Sequence, residues 1–430
     1  VSSVDLFLPE PAIQPSIDTR LPLEFNRQRS EELLAEVAGL GGRAVLLTDP
    51  WNIVHYTGLW AATTERPLYA LLTVGGSAPF WFYPTLDREL VTSWWFADGA
   101  EYFDYPHVAG QFPSRGTAEP GPALDLWDWA LSICAGRGLT APGSLMLDRN
   151  VEGADRITAQ RALGYAPQSL RDRCLRSRVH KRPEELALIR RAYGYFERVH
   201  AFARDFLLTD YRPGLTDYDL RTAMTEHALS LIVPDLGLDG EPHRGVGVAV
   251  DLGWVRAGRV TGYPHPNQFR YSKIEPGGPL QVSGVIRLGG YGGECYRPYV
   301  ISPRTSRRER LWTVVRDSCL LQREQLQAGR TCGEVAAVIH RFQIDAGMQG
   351  HLYHRPAHGQ GPEGHQPPWL ALGDGTVLEP GMCFSVEPGL YDPVDGFSAN
   401  FSDTFVVQES GPALQMSRVP WTTEWGWITV

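Results

Sequence analysis

This 430-residue sequence predicts an α/β protein of two domains. Strand-length apolar runs alternate with helical periodicity over the first 170 or so residues. A basic stretch then interrupts the pattern. Beyond it, one turn-and-strand pattern occurs twice, 104 residues apart: Glu275-Pro276-Gly277 leads to Ser283, and Glu379-Pro380-Gly381 leads to Glu387 at the same spacing. Each copy reads as a turn, a strand and one inward polar position. The second domain is therefore predicted as two αβ units related by a pseudo-twofold, with a site where the halves meet.

The elements follow in order. Residues 1–20 are proline-rich and read as an arm. Leu33, Leu34, Val37 and Leu40 give residues 25–40 a helical face. Residues 44–47 read as a buried strand, and Asp49-Pro50-Trp51-Asn52 as a turn. Residues 68–74 and 79–83 read as strands, 127–135 as a helix and 144–147 as a further strand. The five basic residues between Arg171 and Lys181 predict a solvated linker, placing the domains at 1–175 and 176–430. Pro183 suits a first helical turn, and Leu186, Ile189, Tyr193, Phe196 and Val199 keep one face as far as Leu207. Thr216 and Thr331 each precede an acid by three residues, Asp219 and Glu334, and so predict two capping boxes.

Composition narrows the function. A net charge of −9 and a pI of about 5.8 argue against a nucleic-acid or anionic-membrane surface. Thirteen tryptophans serve packing or line an aromatic pocket. The six cysteines show no zinc spacing and read as free thiols of a reducing compartment. No apolar run is long enough to span a membrane, and the start lacks a signal-peptide core. A soluble cytoplasmic protein is expected.

Four segments carry the candidate chemistry. They are Gly262 to Asn267 around His265; Ser283 through Tyr291-Gly292-Gly293-Glu294-Cys295-Tyr296-Arg297; His358 to His365; and Glu387-Pro388-Gly389 followed by Ser402-Asp403-Thr404. Their order and spacing resemble the pita-bread superfamily of methionine aminopeptidase, prolidase, Xaa-Pro aminopeptidase and creatinase, which includes one class of dimethylsulfoniopropionate lyase. Asp49-Pro50-Trp51-Asn52-Ile53 through Tyr56-Thr57-Gly58 is similar to the signature of the creatinase-type N-terminal domain. The resemblance implies a pita-bread catalytic domain with an α/β N-terminal domain, and a homodimer.

In the metallopeptidases of that superfamily five acidic and histidine ligands hold two metals. Position by position, this chain offers Ser283, Glu294, His358, Glu387 and Ser402. Two hydroxyls are poor divalent-ion ligands, so the resemblance implies at most one metal (Mn²⁺, Fe²⁺ or Zn²⁺) on Glu294, His358 and Glu387, or none if the site works as creatinase does. His265, His365 and Glu387 are the expected catalytic residues. Arg287, Tyr296, Arg297 and Trp369 are the expected substrate contacts, with Arg297 alternatively bracing Glu294. The expected function is a non-peptidase enzyme that cleaves a C–N or related bond in a small polar molecule. A mononuclear iron redox enzyme and a partner-binding pseudoenzyme are the alternatives.

Overall fold

A computed structural model describes residues 12–61, 64–103, 125–236, 247–266 and 271–430. Residues 1–11 of the expected arm and Asn267 of the His265 segment lie outside the described residues. The chain divides into two compact units, one built on Leu21–Arg178 and the other on Val179–Asp239 and Gly247–Val430.

The first unit runs α1 (Leu23–Gly39), β1 (Ala44–Leu47), α2 (Pro50–Thr57), β2 (Tyr69–Thr73), β3 (Phe80–Pro84), α3 (Arg88–Thr92), β4 (Asp98–Tyr102), α4 (Leu126–Gly136), β5 (Leu145–Leu147), α5 (Gly153–Leu163), β6 (Gln168–Ser169) and α6 (Arg171–Val179). Its sheet has the order β4-β3-β2-β1-β5-β6. Alternate residues of the central strands feed opposite cores. Val45, Leu47, Leu72 and Trp81 face the side with α1, while Ala44, Leu46, Leu71 and Phe82 face the side with α4. Both sheet faces are thus covered, which is why these strands read as continuous apolar runs.

Two readings of this region are corrected. Asp49 and Pro50 do not close a turn but start α2: the Asp49 carboxylate accepts the Trp51 N–H at 2.8 Å as an N-cap. Asn52 then donates to buried Asp148, and Gly58 ends the helix at φ 75° against Asn26. This motif is structural. The basic stretch is not a solvated linker but helix α6, which buries Cys174 and Arg178.

The second unit contains α7 (Pro183–Thr209), α8 (Asp217–Leu236), β7 (Ala249–Asp251), β8 (Arg256–Ala257), β9 (Pro279–Leu288), β10 (Tyr291–Ile301), α9 (Ser306–Gln325), α10 (Cys332–Asp345), β11 (Ala357–Gly359), β12 (Gln366–Leu370), β13 (Cys383–Val386), β14 (Leu390–Asp392), β15 (Phe397–Ala399), β16 (Asp403–Val406), β17 (Leu414–Gln415), α11 (Thr423–Gly426) and β18 (Trp427–Ile428). One sheet has the order β18-β10-β9-β7, with β8 also on β9, and another β12-β11-β13-β16-β17. They meet where Tyr296 and Ser402 exchange backbone hydrogen bonds of 3.1 and 3.2 Å.

The duplication is visible bond by bond. Gly277 and Gly381 sit at φ 74° and 85°, a region open to glycine. Each donates its N–H to a carbonyl just past a strand of its own half, Ser302 after β10 and Val407 after β16. Both capping pairs form: Asp219 accepts from the Thr216 N–H and Glu334 from the Thr331 N–H. Thr216 and Thr331 in turn bridge to Lys273 and Val377, just ahead of the two turns. Each half is therefore stapled from helix start to turn in the same way, which fixes where Ser283 and Glu387 emerge.

Helix α7 buries His200, whose Nε2–H donates to the Cys295 carbonyl at 3.2 Å, while Nδ1 is sealed without a partner. Burial, with Arg297 nearby, pushes this imidazole from 6.5 down to about 3. Between those values the unfolded chain binds a proton that the folded chain does not, so stability falls as pH falls. His200→Gln is expected to flatten that dependence. From pH 6.5 to 5 the wild type should lose up to about 2 kcal/mol more than the variant in urea titrations. Parallel pH dependences would contradict this.

Candidate active site

Each half of the second unit delivers part of one cluster. In β10, Glu294 pairs in register with Val285 of β9, and Tyr296 with Ser283. Gly293 precedes Glu294 because no side chain fits there: a Cβ would lie 2.6 Å from both the Thr404 hydroxyl and the Tyr193 hydroxyl. Tyr193, from α7, donates to the Glu294 carbonyl at 2.7 Å and so fixes the strand behind the acid. In the other half His358 of β11 sits opposite Ser385 of β13, and Glu387 leaves the end of β13. The loop after β11 returns His365 over His358, the rings stacked at 3.7 Å and 18°.

Ligand atoms of Glu294, His358 and His365 all lie within 4.8 Å of one another. His358 Nε2 is 3.2 Å from Glu387 Oε1, and His365 Nε2 is 3.7 Å from Glu294 Oε1. The His358 Nε2 is sealed from solvent and, among the described residues, faces Glu387 as an ion-pair partner and not as a hydrogen-bond acceptor. Burial opposes charge on Glu294, but hydrogen bonding from His365, the nearby imidazoles and the Tyr296 phenol outweigh it and hold the carboxyl below its ordinary range. Burial likewise opposes protonation of His358, but Glu387 and Glu294 outweigh it and raise the imidazole.

The cluster lies at one side of a cavity of about 400 Å³, a volume suited to a small ligand. Trp254, His265, Tyr296, His354, Arg355 and Tyr391 complete much of its wall. Exposed His265 packs against the Trp254 ring at 6.1 Å. The structure therefore brings His265, Glu294, Tyr296, His358, His365 and Glu387 to one place.

The remaining expected contacts do not share that cavity wall. Arg297 is 0% exposed. It donates to Asp403 and Ser417 and to the carbonyls of Tyr296, Ser402, Val419 and Pro420. It is spent on structure and has no donor left for substrate. It does not brace the Glu294 carboxylate either. Arg287 donates to the Pro362 carbonyl and packs on Gly364, bracing the loop that carries His365. Trp369 stacks under Arg355 at 4.3 Å.

Of the two serines, Ser402 reaches Glu294 through Ser385, and Ser283 sits across the strands from Tyr296. Ser402 Oγ is 3.3 Å from Ser385 Oγ, which donates to Glu294 at 3.5 Å. Ser283 is 1% exposed and its hydroxyl has no partner. Ser385, Arg355, Tyr391 and Arg256 take no role of their own from the sequence, since no motif singles them out, and His354 offers only a strand-supporting one.

The model of metallopeptidase family M24 matches residues 187–409, which hold the whole cluster. The chain belongs to metallopeptidase family M24. Probable dipeptidase PepE of Mycobacterium tuberculosis is 25% identical over 403 residues, 93% of this chain and 96% of the relative. The Xaa-Pro dipeptidase of Lactobacillus delbrueckii subsp. lactis is 26% identical over 371 residues, 85% and 90% of the two chains. Among solved structures, dipeptidase PepE from Mycobacterium ulcerans superposes with a TM-score of 0.72 at 22% identity, covering 96% of this chain and all of that one. The X-Pro aminopeptidase from Thermotoga maritima gives 0.73 at 17% identity, covering 94% and 99%. The α/β first domain and the pita-bread second domain are those of this M24 chain.

These relatives correct two expectations. The similarity runs to dipeptidases over nearly the full length, not to creatinase or the lyase. The reading as a non-peptidase, with its redox and pseudoenzyme alternatives, is overturned by the same relatives. It weighed the two serines above the remaining ligand-type residues and the full-length pattern. Among the described residues no helix is long and apolar enough to cross a membrane, and all six cysteines are buried free thiols.

Proposed function

We propose that this M24 chain hydrolyses the peptide bond of dipeptides with one divalent cation. The observation that carries this reading is the convergence of Glu294, His358 and His365 on one side of a dipeptide-sized cavity. The donor set fits a single ion. One carboxylate and two imidazoles with an open position suit Mn²⁺ or Zn²⁺, and the sealed His358 Nε2, which makes no hydrogen bond among the described residues, is left for a cation. It does not fit a pair. Ser283 and Ser402 are neutral hydroxyls at two positions where the resemblance implies acidic ligands, and two ions at close range need more negative charge than Glu294 and Glu387 supply.

Glu294, His358 and His365 would hold the cation. When bound, it supplies Lewis-acid polarisation of the scissile carbonyl. The chain's own residues do the rest. Glu387 Oε1, beside His358, takes the proton of the attacking water. His265 is exposed to the cavity and donates a proton to the departing amine. The Tyr296 phenol, hydrogen-bonded to Glu294, keeps that acid ionised. Trp254 and Tyr391 shield the cavity wall from water.

Alanyl-proline and alanyl-alanine, incubated with purified protein and Mn²⁺, Zn²⁺ or Co²⁺, should release free amino acids. Chelator should stop the release, and added ion should restore it. The reading fails if neither dipeptide is cleaved with any of the ions.

A further inference from the structure

Arg256 is a buried cation that no acid among the described residues answers. It lies in β8 between apolar Val255 and Ala257, is 4% exposed, and lines the cavity that holds the Glu294 cluster. Its Nη1 donates to the backbone carbonyls of Tyr263 and Pro264, at 3.2 and 2.9 Å. Its Nε has no acceptor. Among the described residues no carboxylate forms an ion pair with it, and the charged or polar groups that act on it are the phenols of Tyr391 and Tyr296. Burial works against its charge. Buried guanidinium groups are ordinarily matched by an anion, as Arg297 is by Asp403 in the same unit.

Resting on the dipeptidase reading, we infer that Arg256 receives the free α-carboxylate of the substrate. The geometry supports a positioning role as well as a charge match. The two carbonyls that Nη1 holds belong to the residues just ahead of His265. Trp254, two residues before Arg256, packs on the His265 ring. The carboxylate receptor and the proton donor are therefore built from one short piece of chain. A substrate anchored at Arg256 has its carboxyl end held in fixed relation to His265. The same arrangement makes the enzyme select short peptides with a free C-terminus, because a neutral C-terminus leaves the guanidinium buried and unanswered. Arg355 also lines the cavity and its Nε is likewise sealed without a partner, but it is half-exposed and stacked on Trp369, so its guanidinium is the less buried of the two.

The test compares alanyl-proline with alanyl-prolinamide in the cation-loaded full-length protein. The wild type should favour the acid by about 100-fold in kcat/KM, chiefly through KM, the size of a charge-assisted hydrogen bond. Arg256→Met should bring the acid-to-amide ratio near one, and Arg256→Lys should restore part of it. The ratio is internal to each protein, so a variant that folds poorly, or that displaces His265, lowers both rates without moving it. Equal cleavage of acid and amide by the wild type overturns the inference and leaves the hydrolase reading standing. So does a ratio that survives Arg256→Met but collapses in Arg355→Met. Cleavage of neither substrate by the wild type overturns both.

Discussion

Glu294→Gln should abolish cation binding and lower kcat/KM for dipeptides by about 10³-fold or more. Lewis-acid stabilisation at such a site amounts to several kcal/mol, and each 1.36 kcal/mol is about tenfold in rate. Glu294 is the acid that both His365 and Tyr296 address, and Gln keeps its shape while removing its charge. The fold should persist but weaken: the imidazoles and the Tyr296 phenol outweigh the cost of burying the Glu294 carboxylate, so the cation-free variant should melt somewhat below the cation-free wild type. What it should lose is the rise in Tm that added Mn²⁺ or Zn²⁺ gives the wild type. A variant that still binds the ion, or that loses activity only because it unfolds, would contradict the ligand assignment.

Arg297→Met should cost about 3–5 kcal/mol of stability, because it strands a buried charge. Asp403 accepts from Arg297 at 3.0 Å, from Gln415 at 2.9 Å and from the Ser417 N–H at 3.2 Å. Removing the guanidinium leaves that carboxylate uncompensated. It also frees the carbonyls of Tyr296 and Ser402, which Arg297 ties at 2.8 and 2.9 Å where the two sheets join. Against a total stability of about 5–15 kcal/mol for a domain, that is a large share, visible as a lower urea midpoint. Should Arg297→Met fail to fold, Arg297→Lys keeps the charge, and its folded fraction should retain the wild-type KM. A raised KM in Arg297→Lys would return Arg297 to the substrate-binding role first read from its sequence position.

Legibility in the sequence followed how local each signal was. The duplicated turns were readable because a left-handed glycine and a Thr-to-acid cap each depend on three or four neighbouring residues, and both copies kept them. Glu294, His358, His365 and Glu387 were readable through the spacing of a known pattern. What that pattern could not give was the state of each cation. Arg297, Arg287 and Arg256 look alike in sequence, each an arginine in or beside a strand. Tertiary contacts separate them: Arg297 spent on Asp403 and carbonyls, Arg287 on Pro362, Arg256 with no acid among the described residues. The basic stretch misled for a related reason. Its charges hid a helix whose Cys174 and Arg178 face inward, and only packing reveals which side of such a helix is buried. The misjudged chemistry came from treating Ser283 and Ser402 as the end of peptidase activity, whereas the full-length relatives are dipeptidases and the proposed function keeps that activity with one ion.

Counting the cation in active protein addresses that last point most directly. Protein loaded with Mn²⁺ or Zn²⁺, freed of excess ion and shown to cleave a dipeptide, can be analysed for metal per chain by native mass spectrometry alongside its turnover. One ion per chain, lost together with activity in Glu294→Gln, is the expected result. Two ions per chain, or full turnover with none bound, would contradict a single-cation peptidase.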